Sequence, residues 1–77
     1  MITKAEQILA ALGGVGNVVE LEPCITRLRV EVTDPALLDE DALRASGVLG
    51  VVRSGRIIQV VVGPEADALA AAIDTLR

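Results

Sequence analysis

Phenylalanine, tyrosine, tryptophan and histidine are all missing from this 77-residue chain, and cysteine and methionine occur once each. Each absence excludes something. Without aromatic rings there is no stacking platform for nucleobases, and a formal net charge of −4 gives no basic face for a phosphate backbone, so nucleic acid is not a partner. Without histidine a Cys–His hydrolase dyad is impossible, and a zinc site would have only carboxylates and one thiol. No metal and no cofactor is expected. One cysteine makes neither an internal disulfide nor a Cys-x-x-Cys redox pair, and an unpaired thiol fits a reducing compartment. Long hydrophobic runs are lacking too: Val48 to Val52 is broken by Gly50 and Ile57 to Val62 by Gln59, far short of the ~20 residues that cross a bilayer. The opening Met-Ile-Thr-Lys-Ala-Glu has no signal-peptide pattern. What remains is a cytoplasmic single domain, residues 1–77, held together by small aliphatic side chains.

Those aliphatics are periodic. Ile2, Ala5, Ile8, Leu9 and Leu12 recur at helical spacing, with Thr3 and Glu6 as a capping box and Gly13-Gly14 as the stop. Asn17 to Glu22 alternates as a strand, with Val19 and Leu21 on one face, Glu20 and Glu22 on the other, and Pro23 closing it. From Ile25 the alternation resumes: Leu28, Val30 and Val32 share one face, Arg27, Arg29 and Glu31 the other. Asp39 caps a short helix to about Ser46, with Leu38 and Leu43 as its hydrophobic staple and Gly47 at its end. Val48 to Arg53 and Arg56 to Val62 read as a second hairpin across Ser54-Gly55. Gly63-Pro64-Glu65 opens a last helix with Leu69, Ile73 and Leu76 as its core stripe. The order α-β-β-α-β-β-α, with connections too short for parallel crossovers, predicts an α+β fold: a two-layer split α/β sandwich in which a four-stranded antiparallel sheet carries three helices on one face.

The only thiol lies in Pro23-Cys24-Ile25-Thr26-Arg27-Leu28-Arg29, at the tip of the first hairpin. A lone cysteine is often a small buried hydrophobe, and strand arginines are often solvated cross-strand pairs; a Pro23-Cys24 turn would set Glu20 opposite Arg27. A hairpin tip, however, is a poor place to bury a thiol. The N–H groups of Ile25, Thr26 and Arg27 can converge on an anion, and Thr26 adds a hydroxyl. Arg27 and Arg29 leave one face of the strand, and guanidinium matches phosphate oxygens best. Fixed positive charge also favours the thiolate, the nucleophilic form. A tyrosine-phosphatase pattern, Cys-x-x-x-x-x-Arg, would need arginine where Val30 stands. A thiolate in an anion cradle with no base to activate water suits a carrier that takes up a phosphoryl group and keeps it. The competing class is a non-catalytic regulatory module that binds an anion or amino acid between protomers, with Cys24 buried and structural.

Ile8-Leu9-Ala10-Ala11-Leu12-Gly13-Gly14 followed by Asn17, Cys24-Ile25-Thr26-Arg27-Leu28-Arg29, the Asp-rich second helix, Gly47-Val48 and Gln59-Val60-Val61-Val62-Gly63 together carry a resemblance. The chain resembles, nearly end to end, the IIB domain of the glucose and N-acetylglucosamine family in the bacterial phosphoenolpyruvate-dependent sugar phosphotransferase system. That resemblance implies a phosphotransferase in which Cys24 accepts a phosphoryl group from a phosphohistidine of the IIA protein. The group then passes to N-acetylglucosamine or glucose bound in the membrane IIC component, with which a cytoplasmic IIB associates peripherally. It implies that the N–H groups of Ile25, Thr26 and Arg27 cradle the phosphate and that Arg27 and Arg29 balance its charge, chiefly during transfer to sugar. Gln59 aligns with a family glutamine and is a candidate for the same phosphate site, or else a polar residue facing water. Arg53-Ser54-Gly55-Arg56-Ile57-Ile58 departs from the family's Gly-rich hairpin. Its arginines read as solvated turn residues, or as a docking aid for an acidic IIA surface should the two tips lie together. The start at Met1 favours a free-standing chain over a piece of a IIB–IIC fusion.

Overall fold

In the computed structural model, which describes residues 2–77, Thr3 caps the first helix, α1 (Lys4–Ala11). The Glu6 N–H donates to Thr3 Oγ1 at 3.2 Å and the Thr3 N–H to Glu6 Oε1 at 3.3 Å, the reciprocal box that the spacing predicts. The chain leaves α1 through Gly13, at a φ of +104°, where a Cβ would come within 2.6 Å of Asn17 Nδ2. That crowding has a purpose, because Asn17 is buried and ties two loops together. Its Nδ2 donates to the carbonyls of Leu12 (2.7 Å) and Asp34 (3.1 Å), and its Oδ1 accepts the Asp34 N–H at 2.8 Å. Its buried polar atoms are thereby matched within the protein.

Strands β1 (Val18–Cys24), β2 (Arg27–Val32), β3 (Gly50–Ser54) and β4 (Ile57–Val61) form one antiparallel sheet in the order β1-β2-β4-β3. Helices α2 (Glu40–Ala45) and α3 (Ala66–Asp74) join α1 on one face. Asp39 caps α2 by accepting the Ala42 N–H at 3.0 Å. The α+β two-layer architecture is the expected one. Leu28, Val30 and Val32 of β2 and Ile58 and Val60 of β4 are fully buried beneath Ile8, Leu12, Leu43 and Ile73 of the helical layer. Two central strands with every second residue aliphatic let a core without aromatic rings close.

Four expectations are corrected. First, β1 contains a register shift between Val18 and Glu20, so Val18 and Leu21 are buried while Val19 is 44 % exposed. The bulge reverses the alternation, and Val19 does not share the inner face with Leu21. Second, Pro23 does not end β1: it pairs with Leu28 in an edge strand, where a missing N–H faces outward and breaks no ladder bond. Third, the second hairpin turns on Gly55-Arg56 rather than Ser54-Gly55, because Ser54 pairs with Ile57. Its strand starts at Gly50, with Val48 packed against the core ahead of it. Fourth, Gly63–Glu65 forms a separate 3-10 turn before α3, and Leu76 is 41 % exposed beyond the helix's core stripe of Leu69 and Ile73.

Candidate functional site

Directly opposed residues of an antiparallel sheet share a face, so the register lays out the face that the helices leave open. Cys24, Arg27, Val61 and Gly50 form one row across it. Glu22, Arg29, Gln59 and Val52 form the next, and Glu20, Glu31, Ile57 and Ser54 the third. Cys24 and Arg27 are nearest neighbours, with Cβ atoms about 5 Å apart by strand geometry, and Arg29 lies one row, about 7 Å, behind. The sequence alternation alone places both arginines on one side; the register adds the thiol to it. A Pro23-Cys24 turn is ruled out, and with it the pairing of Glu20 to Arg27, since Cys24 itself pairs with Arg27.

The turn residues are therefore Ile25 and Thr26. Ile25 has a φ of +56°, the one left-handed non-glycine among the described residues, and is 89 % exposed. A β-branched side chain rarely adopts this conformation. Gly55 fills the same turn position in the other hairpin with a φ of +59°. What holds Ile25 there is the next carbonyl: Thr26 O accepts the N–H groups of both Val62 and Gly63 at 2.9 Å. Backbone direction alternates along a strand, and Thr26 O and the Val32 N–H both face β4. The Arg27 N–H consequently faces β1, where Cys24 is its partner. Among the described residues no hydrogen bond uses the N–H of Ile25 or Thr26, which leaves two donors free beside the exposed thiol.

Behind the tip, Arg27 Nη1 donates to Gln59 Oε1 at 2.8 Å. Among the described residues neither Arg27 nor Arg29 forms a salt bridge, although the chain carries a net charge of −4. The positive charge at this end of the sheet is thus available to an incoming anion. The segment that carries Cys24, Arg27 and Arg29 falls within a known family. The family described as phosphotransferase system, EIIB, matches residues 6–39. The PTS system N-acetylglucosamine-specific EIIB component of Streptomyces coelicolor is 57% identical over 99% of this chain and 99% of its own length. The chain belongs to the phosphotransferase-system EIIB family. The PTS system glucose-specific EIICBA component of Staphylococcus carnosus is 44% identical over 79% of this chain, which spans only 9% of that much longer protein. Among solved structures, one domain of the PTS system, IIabc component, from Clostridium difficile has a TM-score of 0.73 at 25% identity, covering 94% of this chain and 80% of that one.

This EIIB domain presents its thiol exposed at a hairpin tip. Its described concavities lie in the helical layer instead, the larger a groove of about 410 Å³ between α1 and α2 lined by Ile2, Ala10, Asp39 and Ala42. No helix among the described residues is long and apolar enough to cross a membrane. Arg53 and Arg56 do not join the site. Arg27 pairs with Val61 and Glu31 with Ile57, so the second tip lies at the opposite end of the sheet, at least about 13 Å away. Arg53 Nη2 donates to the Pro35 carbonyl at 3.0 Å and Arg56 Nε to the Val32 carbonyl at 3.1 Å, so the first braces the turn after β2 and the second the end of β2. The sequence gives no sign of the Thr26 anchor except Gly63, which follows a strand and adopts a φ of +82°.

Proposed function

We propose that this chain is a phosphocarrier that holds a phosphoryl group on Sγ of Cys24 between a IIA protein and a sugar in the membrane IIC component. The thiolate attacks the phosphorus of a IIA phosphohistidine in line; the S–P bond forms, the N–P bond breaks, and the imidazole nitrogen keeps the electron pair. In the second step a sugar hydroxyl attacks the phosphorus, the O–P bond forms, Cys24 leaves as thiolate, and a base on the membrane component takes the hydroxyl proton. This chain contributes positioning and charge, the main demands of phosphoryl transfer. The free N–H groups of Ile25 and Thr26, with the Thr26 hydroxyl, cradle the phosphoryl oxygens, and the guanidinium groups of Arg27 and Arg29 balance their charge.

The observation that carries this reading is the exposed Cys24 paired with Arg27 at the end of the open face, with Arg29 one row behind. A small-molecule enzyme encloses its substrate in a cleft, whereas a thiol exposed at a hairpin tip suits delivery between proteins. A regulatory module with a structural cysteine calls for a buried thiol, and the exposure of Cys24 speaks against it. N-acetylglucosamine is the favoured sugar, from the full-length similarity to the Streptomyces protein; glucose is the alternative. The carrier works in the cytoplasm, docked on IIC. Incubation with phosphorylated IIA should add one phosphate by intact mass, with a thiophosphate signal in phosphorus NMR. Equal labelling of Cys24→Ser would overturn the assignment.

A further inference from the structure

We infer that Gln59 is a positioning residue that acts through Arg27 instead of binding the phosphoryl group itself. The inference rests on the carrier reading above. A guanidinium has only donors, so the end of the Gln59 amide that faces Arg27 Nη1 at 2.8 Å must be its carbonyl oxygen. That oxygen, as an acceptor, has nothing to offer a phosphate oxygen, and only the amide's two N–H donors could reach one. What it offers is restraint of an exposed side chain that has many rotamers and, among the described residues, no carboxylate partner. One nitrogen is held, and the other N–H groups of the fork have no partner among the described residues. A neutral amide does this without cancelling the positive charge, as a glutamate at the same place would.

The two arginines thereby differ in kind. Arg27 is fixed before the phosphoryl group arrives. Arg29 stands directly opposite Gln59 in the register yet has no hydrogen-bonded side-chain partner among the described residues, so it is free to follow the group as its bonds change.

A double-mutant cycle tests this. Single-turnover loading of Cys24 from phosphorylated IIA, and transfer to sugar in membrane vesicles containing IIC, are measured for wild type, Gln59→Leu, Arg27→Met and the double variant. Gln59→Leu should slow transfer about 3- to 10-fold in the wild-type background, the cost of re-immobilising one long side chain. It should change the rate less than about twofold when Arg27 is already methionine. In the unphosphorylated protein the Arg27 Nε–Hε resonance should lose its rigidity in Gln59→Leu, an effect that a merely structural role for Gln59 would not produce. Equal losses in both backgrounds would mean that Gln59 touches the phosphoryl group directly and would overturn the inference. So would an Arg27 resonance unchanged by Gln59→Leu. Should wild-type Cys24 take up no phosphate at all, the carrier reading fails, and the NMR comparison still decides whether Gln59 holds Arg27.

Discussion

Replacing Ile25 by asparagine should make the protein more stable, although isoleucine is the more hydrophobic residue. The left-handed conformation at Ile25 costs an L-residue about 1–2 kcal/mol, at the upper end for a β-branched side chain. Asparagine tolerates that region, because its short side chain hydrogen-bonds locally. The side chain is 89 % exposed, so little burial is lost in exchange. The net gain is about 1 kcal/mol, or roughly 4–8 °C in melting temperature for a domain of this size. Ile25→Gly relieves the same strain but gives back about 0.5–1 kcal/mol through the freer unfolded chain, so it should gain less. The other hairpin supplies the mirror experiment. Gly55 has nothing within 4 Å of a prospective Cβ, so Gly55→Ile isolates the conformational cost and should lower the melting temperature. Far-UV circular dichroism is the natural probe, since the chain has no aromatic residue to report by fluorescence. A melting temperature for Ile25→Asn at or below wild type would refute the claim that the tip is strained.

Asn17→Ala removes three hydrogen bonds and leaves the Leu12 carbonyl and the Asp34 N–H without a partner, while the Asp34 carbonyl keeps the Leu37 N–H. The expected loss is about 2–4 kcal/mol, read as a fall in the urea midpoint at unchanged slope. Arg27→Lys and Arg29→Lys keep the charge but not the fork, and each should impair transfer to sugar more than loading of Cys24. Comparable losses in the two half-reactions, measured by single-turnover labelling, would remove that division of labour.

Where one face of an element is buried and the other wet, the sequence was readable. The stretch from Leu28 to Val32 alternates cleanly because β2 is a central strand with helices on one side only. The caps at Thr3 and Asp39 were equally legible, since capping depends on a few neighbouring residues. The bulge in β1 was not, because an extra residue resets the alternation and only pairing with β2 reveals it. The turn at Ile25-Thr26 runs against local chemistry, with two β-branched residues where glycine, asparagine or proline would signal a turn. Its position follows from register and from the Thr26 anchor, both long-range facts. Arg27 and Arg29 could be grouped from spacing alone, whereas the place of Cys24 beside them needs the register and the bond between Arg27 and Gln59 spans two strands that are distant in sequence. Local rules failed most at the tip that carries the thiol, where strain is expected to collect if the site is functional.

The Thr26 carbonyl has a last consequence. The peptide group that accepts from Val62 and Gly63 is the one whose nitrogen belongs to Arg27, so the backbone beside the thiol is bonded to the junction between β4 and the turn leading into α3. The N–H of that peptide faces β1 and its carbonyl faces the junction, so the turn that carries the thiol is held from both sides at once. A change that displaces Val62 or Gly63 would therefore be felt at the turn beside Cys24, although neither residue lies in that hairpin.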